Sequence, residues 1–140
     1  IKAERVVKPD GFVTYRRVQG GSGNRTSQQR IMINEDGTIS IPNKKADLYV
    51  SIDNGEHSQY FSDLRGSNSE IFEWDVPQWF DDMVQEYAIL QSKYTTNPLN
   101  QGGMAPKITD PTTPGHSYSL PAPWIEWLEE YAVNARIVPR

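Results

Sequence analysis

Short runs in which bulky and polar residues alternate recur along the chain, and they restrict it to a fold built on β-sheets. Phe12 to Val18 alternates bulky residues, and Leu48 to Ile52 and Ile71 to Val76 contain large apolar side chains at every second position. Successive side chains of a strand point to opposite faces, so each run predicts a strand with one face in the core. Ser117 to Leu120 predicts a short final strand.

A hairpin is predicted between two further runs. Gln29 to Asn34 and Thr38 to Ile41 flank the dipeptide Asp36-Gly37. Asp-Gly favours a type I′ turn, because both central residues of that turn need positive φ.

Three segments have the spacing of helices. Gly55 to Leu64 is predicted to be a short helix capped by Asn54, with Tyr60, Phe61 and Leu64 facing inward. Gln78 to Leu90 follows Pro77 and repeats bulky residues at helical spacing, and a last amphipathic helix begins near Pro123. Ser92 to Gly115, which is rich in Asn, Gly, Thr and Pro, predicts a long irregular loop of functional importance.

Length and composition narrow the class of protein. The 140 residues fit one domain spanning 1–140, and the net charge of −4 argues against stable binding to nucleic acid. The chain contains no cysteine, which excludes disulfides, thiol nucleophiles and cysteine-based zinc sites. We find no signal peptide and no apolar run approaching the roughly 20 residues of a membrane span. The chain begins with Ile1 rather than Met, so we expect a longer parent protein.

Two side chains on predicted strands are candidates for binding. Arg16 lies inside the strand Thr14 to Val18, and a buried arginine needs a partner such as an anion. The composition by itself favours the alternative, an edge strand with solvated arginines. Ser51 points away from Leu48 and Val50, where its hydroxyl could hold a ligand or simply face solvent.

The remaining ionisable groups give weaker signals. His57 and His116 lack the spacing of a metal site. A surface position explains both, and equally explains the glutamates of the last helix.

Several short segments, taken in order, resemble a known family. They are Tyr15-Arg16-Arg17-Val18-Gln19-Gly20-Gly21, Val50-Ser51-Ile52-Asp53, His57-Ser58-Gln59-Tyr60-Phe61, Asp110-Pro111-Thr112-Thr113-Pro114-Gly115 and Pro123-Trp124-Ile125-Glu126. This series resembles the C-terminal toxin domains of Rhs polymorphic proteins. It is most similar to their ADP-ribosyltransferases of the arginine-serine-glutamate class that modify elongation factor Tu.

The resemblance implies an α+β fold, in which two small, mostly antiparallel sheets and a few helices surround a cleft for NAD. It implies a mono-ADP-ribosyltransferase that uses NAD as substrate without a metal. Arg16, Ser51 and Glu126 would be catalytic. Tyr15 and Tyr60, together with Arg16 and Ser51, would bind NAD, with Tyr15 or Tyr60 stacking on the nicotinamide.

The match to the family pattern is incomplete. Asp53 stands where the family has a second serine, and no Gln-x-Glu or Glu-x-Glu segment follows the long loop. Glu126 is chosen because it follows that loop and the final strand, and Glu86 is the alternative.

The resemblance also implies a biological setting. The toxin would be secreted by one bacterium and act in the cytoplasm of a competitor, where it would block translation. Type VI secretion, elongation factor Tu as target and a cognate immunity protein belong to this expectation, and no membrane partner does. Three alternatives stay open: ADP-ribosylation of structured RNA, a metal-independent nuclease toxin using His57, and a non-catalytic binding module with a tryptophan-rich interface.

Overall fold

The computed structural model describes residues 5–21, 30–52, 56–66, 68–91, 94–108 and 116–138. Helices and strands are numbered along the chain. The strands are β1 (Phe12–Gly20), β2 (Met32–Ile33), β3 (Ile39–Ser40), β4 (Leu48–Ser51), β5 (Ser69–Pro77), β6 (Ile89–Leu90), β7 (Lys107–Ile108), β8 (Ser117–Leu120) and β9 (Val133–Val138). The α-helices are α1 (Glu56–Arg65), α2 (Gln78–Tyr87) and α3 (Ala122–Tyr131), and two 3₁₀ turns cover Tyr94–Thr96 and Pro98–Gly103.

The described residues form one large sheet and one small sheet. The large sheet has seven strands in the order β6-β7-β8-β4-β1-β5-β9, and β2 pairs with β3 in the second sheet. All neighbours in the large sheet are antiparallel except β6 and β7. The expected α+β class and mostly antiparallel pairing are confirmed. The two sheets are unequal, however, because β1, β4, β5 and β8 all join a single sheet.

The two faces of the large sheet have different chemistry. Val13 and Tyr15 of β1, Trp74 of β5 and Tyr118 of β8 point to one face and are fully buried in the main apolar core. Helices α2 and α3 supply the other side of this core, through residues such as Phe80. We call this the core face. The opposite face carries most of the charged side chains of the central strands, and we call it the polar face.

Helix α1 lies on the polar face, against β1 and β5. The hydroxyl of Ser69, on the polar face of β5, donates to the carbonyl of Ser62 at 3.3 Å. Ser58 and Ser62 are buried, whereas Tyr60 and Leu64 are each 39% exposed. The prediction that Tyr60 and Leu64 face inward was therefore wrong. Small serines permit a close approach to the sheet that the larger side chains would prevent.

The predicted hairpin forms, but with a different turn. Asn34 donates to the carbonyl of Thr38 at 2.9 Å, and Gly37 donates to the carbonyl of Asn34 at 3.0 Å. Gly37 has a φ of 83°, whereas Asp36 does not have positive φ. This is a three-residue loop with glycine in the left-handed position, rather than a type I′ turn.

Other differences concern the second half of the chain. Helix α2 ends at Tyr87, since Ala88 is extended and Ile89–Leu90 pair with β7, although the helix was predicted to reach Leu90. Strand β9 was not predicted; it pairs with β5 at the edge of the sheet. The described part of the predicted loop contains the two 3₁₀ turns and β7. Asn54, predicted to cap α1, lies outside the described residues.

Candidate active site

Five polar side chains form a line across the polar face. The pairing of neighbouring strands places Ser51 opposite Ser117, Arg16 opposite Ser51, Glu73 opposite Arg16, and Arg136 opposite Glu73. Directly opposed residues of antiparallel strands share a face and lie within contact distance. The line therefore runs over β8, β4, β1, β5 and β9, and we call it the polar row.

Glu73 is the centre of charge in the polar row. Its Oε2 accepts a hydrogen bond from Nε of Arg16 at 2.5 Å, and its Oε1 accepts one from Nε of Arg136 at 3.0 Å. The Glu73 side chain is 13% exposed, while those of Arg16 and Arg136 are 20% and 39% exposed. One carboxylate thus joins two guanidinium groups, and the side chains of both arginines are partly exposed.

A second carboxylate lies beside the polar row on β5. Asp75 is almost fully buried and accepts hydrogen bonds from Oγ1 of Thr14 at 2.8 Å and Nζ of Lys8 at 2.9 Å. Nη1 of Arg136 is 3.4 Å from Oδ1 of Asp75. Burial alone would raise the pKa of Asp75, but the bonds from Lys8 and Thr14 and the charge of Arg136 outweigh it and hold the pKa below its usual value. This part of the polar face therefore brings three cationic side chains, those of Lys8, Arg16 and Arg136, around two carboxylates.

The structure brings together Arg16 and Ser51, the first two of the predicted catalytic residues. Their Cα atoms are paired partners of β1 and β4, and Ser51 is 6% exposed. Arg17, the neighbouring candidate, points to the other face, where it donates to Oε1 of Gln19 and to the carbonyl of Tyr49. The alternation of β1 therefore separates the two arginines. A role in binding NAD stays a prediction for both Arg16 and Ser51.

The side chain of Tyr15 does not lie beside that of Arg16. Consecutive residues of a strand point to opposite faces, and Tyr15 faces the core. The ring is fully buried and its hydroxyl donates to Oδ1 of Asp81 at 2.5 Å. Stacking of this ring on a nicotinamide would require the core to open. The expected position of Tyr15 is therefore corrected to a core position.

Glu126 and Glu86 are also placed apart from Arg16 and Ser51. Both are exposed, on α3 and α2 respectively. These two helices pack on the core face, whereas Arg16 and Ser51 belong to the polar face. Glu126 was chosen because it follows the long loop in sequence. It does not reach the polar row, because α3 packs on the opposite face of the sheet.

The other candidates are only partly described. Tyr60 is on α1, which lies on the polar face. The centroid of its ring is 5.1 Å from that of the Phe61 ring. The side chain of His57 and the whole of Asp53 lie outside the described residues, as do residues 22–29 and 109–115 of the two predicted loops. His116 is half-buried, and its carbonyl accepts a hydrogen bond from Ile52.

Glu73 is the residue that sequence reasoning missed. A signal was present, since Phe72-Glu73-Trp74-Asp75-Val76 alternates acids with large apolar residues. Two acids on one face of a mostly buried strand require cationic partners. The sequence did not show that β5 lies next to β1, so it could not identify Arg16 as one of those partners.

The core face holds a buried carboxylate of another kind. Asp81 of α2 is fully buried, and its Oδ1 accepts from the hydroxyls of Tyr15 at 2.5 Å and Tyr118 at 2.9 Å, while Arg5 contacts Oδ2. Burial, followed by the charge of Asp81, raises the pKa of Tyr15 and of Tyr118. Both hydroxyls therefore stay protonated as donors.

Two further findings concern metals and membranes. Among the described residues, no three His, Asp or Glu side chains are grouped so as to hold a metal ion. None of the helices in the described ranges is long and apolar enough to cross a membrane.

Comparisons with known proteins gave no match. No protein-family model matches the chain, and neither the search of curated proteins nor that of solved structures returned a similar protein. The case for a function therefore depends on the sequence and on the geometry described above.

Proposed function

We propose that this chain is an ADP-ribosyltransferase toxin domain, in which Arg16, Ser51 and Glu73 form the site for NAD. The observation that carries the proposal is the polar row, in which strand pairing places these three side chains next to one another. The proposal replaces Glu126 by Glu73 as the catalytic carboxylate. The target is expected to be a bacterial protein, with elongation factor Tu as the first candidate.

Arg16 would bind the pyrophosphate of NAD. A guanidinium is planar and matches two phosphate oxygens at once. Glu73 is one of its partners and is shared with Arg136, so Arg136 would still bind the carboxylate if Arg16 bound a phosphate. The exposure of Arg16 is consistent with an exchange of this kind.

Glu73 would act in the bond-breaking step. The bond between C1′ of the ribose and the nicotinamide nitrogen breaks, the electron pair leaves with nicotinamide, and positive charge develops on the ribose. A fixed carboxylate beside the ribose stabilises this charge most in the transition state. A nucleophilic atom of the target then bonds to C1′ and loses a proton.

Ser51 would position the nicotinamide end of the substrate. Its hydroxyl can donate one hydrogen bond and accept two. Because Ser51 directly faces Arg16 across β1 and β4, one NAD molecule could contact both residues.

Labelled NAD incubated with a bacterial lysate tests this proposal, with Arg16→Lys as the variant and Arg17→Lys as its matched control. We expect one labelled protein band with the unaltered chain. Arg16→Lys should reduce the initial rate of labelling about 10- to 100-fold, the loss expected when a charge-assisted contact of about 1.5–3 kcal/mol is removed. Arg17→Lys should keep nearly full activity, because Arg17 lies on the other face.

The same experiment separates the alternatives. A label removed by ribonuclease and not by protease would move the target to RNA. Cleavage of added RNA or plasmid without NAD would identify a nuclease. If neither label nor cleavage appears and NAD does not raise the melting temperature, the chain is a binding module and the proposal is wrong.

A further inference from the structure

The outer surface of α2 and α3 exposes several large aromatic side chains. Trp79 is 51% exposed, Tyr87 is 44% exposed and Trp127 is 40% exposed. Exposed aromatic side chains are enriched at sites that bind other proteins. We call these three side chains and Tyr131, which lies beside them, the aromatic surface.

Contacts between rings hold the aromatic surface in place. Trp79 of α2 contacts Tyr131 of α3 with 4.7 Å between ring centroids, and Trp127 contacts Trp124 at 5.0 Å. Tyr87 contacts the same Trp124 at 6.1 Å. Since Trp124 is itself buried in the core, the exposed rings are supported from below. A partner would therefore meet a surface whose side chains have already lost much of their rotamer freedom.

The two helices that carry the aromatic surface are acidic throughout. Between them they contain Asp81, Asp82, Glu86, Glu126, Glu129 and Glu130, and no lysine, arginine or histidine. Glu86 and Glu130 stand in the last turns of their helices, where the helix dipole disfavours negative charge. Helix stability therefore does not explain these acids.

Part of this charge is neutralised within the chain. Arg5 pairs with Asp81 and Asp82, and Lys44 pairs with Glu129 at 3.1 Å. Glu86, Glu126 and Glu130 form no ion pair with any residue that the structure describes. Three exposed acids on the same two helices as the rings are thus available to a cation from outside.

We propose that the aromatic surface is a docking site for a basic segment of another protein, with arginine side chains as its main contacts. A guanidinium can stack on an indole or phenol ring and pair with a neighbouring carboxylate at the same time. The charge of the two helices favours such a partner and disfavours nucleic acids and anionic membranes. The inference does not depend on the proposed transfer activity, because the polar row is on the other face of the sheet.

Binding of a fluorescent nona-arginine peptide, followed by anisotropy at low salt, tests this inference. The first variant is Trp127→Ala. The second is the double variant Glu126→Gln with Glu130→Gln, which alters only exposed side chains. Each should weaken binding about tenfold, the usual effect of removing an important interface contact of about 1.4 kcal/mol. A nona-lysine peptide should bind the unaltered chain more weakly than nona-arginine does.

Matched control variants are Tyr49→Ala, an aromatic residue 48% exposed on β4, and Glu35→Gln, an exposed acid in the hairpin turn. Both should change the affinity less than twofold. Equal losses in the controls and in the double glutamate variant would mean attraction by net charge alone and would overturn the proposal. So would binding to phosphatidylserine vesicles that requires Trp127, or a dimer in sedimentation that Trp79→Ala dissociates.

Discussion

The two faces of the large sheet each hold a carboxylate that is shielded from solvent, but in different surroundings. Asp81 on the core face is fully buried and receives hydrogen bonds from two neutral tyrosine hydroxyls and a contact from Arg5. Glu73 on the polar face is bound by two arginines that reach solvent. The two tyrosines that bind Asp81 are fully buried, whereas both arginines that bind Glu73 are partly exposed, as Arg5 also is. The two acids therefore differ in that neutral, buried hydroxyls bind Asp81, whereas partly exposed arginines bind Glu73.

The largest effect on stability is expected for Asp81→Ala. The change leaves the hydroxyls of Tyr15 and Tyr118 buried without their acceptor, and each such group costs about 1–3 kcal/mol, so the loss should be about 2–6 kcal/mol. Urea unfolding measures it, with the exposed Glu86→Ala on the same helix as control. A loss for Asp81→Ala no larger than that for Glu86→Ala would remove the distinction between the two faces.

The largest effect on activity is expected for Glu73→Gln, if the proposed function holds. Removing the charge should reduce the single-turnover rate of transfer about 10²- to 10³-fold, as loss of one transition-state contact does. Affinity for NAD should change far less. The unfolding free energy should fall by less than it does in Asp81→Ala, because both arginines can turn to solvent.

The control for this variant is Glu70→Gln, an exposed acid on the same strand. It should keep full activity, and so should Glu126→Gln and Glu86→Gln. A fully active Glu73→Gln beside an inactive Glu126→Gln would return the catalytic role to α3, despite its position on the other face.

The sequence could predict features of the sites that depend on local side-chain direction, but not those that depend on which strands are neighbours. Alternation along β1 was enough to place Arg16 and Arg17 on opposite faces, because side-chain direction on a strand is local. The choice between Glu73 and Glu126 required knowledge of which strands are neighbours. β1 pairs with β4 and β5, both distant in sequence, and no local pattern specifies that pairing.

Local sequence patterns also failed to predict the edge strand β9 and the buried side of α1. Strand β9 is exposed at Asn134 and Ile137 and half-buried at its other residues, so its alternation is weak, and we attribute its strand conformation to pairing with β5. On α1 the buried side chains are Ser58 and Ser62, which a search for large apolar residues passes over. The predictions for Ile89–Leu90 failed because pairing with β7 overrode the helical spacing.

A smaller effect sharpens the description of the core-face carboxylate. Tyr118→Phe and Tyr15→Phe should each cost only about 0.5–1.5 kcal/mol, the net value of a typical hydrogen bond, because the other hydroxyl still binds Asp81. Both hydroxyls donate to the same oxygen, Oδ1 of Asp81. Either one alone still satisfies it, so the double variant should lose more than the sum of the single losses in urea unfolding. Strict additivity would show that the two bonds are independent.

The smallest effect concerns Asp75, which combines features of both faces. It is 2% exposed, as a core carboxylate would be, yet it is bound by the cations Lys8 and Arg136 of the polar face. Its pKa in the folded chain lies below the usual value of 3.8, although burial alone would raise it, because the hydrogen bonds from Lys8 and Thr14 and the charge of Arg136 prevail.

The pH dependence follows from the sign of this shift. As pH falls, the unfolded chain takes up the proton of Asp75 first, so stability falls between the unfolded and the folded pKa. The difference in unfolding free energy between the unaltered chain and Asp75→Asn should therefore be complete above about pH 5 and should shrink as the pH passes below 3.8. Urea unfolding at pH 6, 4 and 3 measures this difference, with Glu35→Gln as the control. A difference that stays constant over this range would mean that Asp75 has the same pKa in both states. In that case the contacts from Lys8, Thr14 and Arg136 would only offset the cost of burying the carboxylate of Asp75.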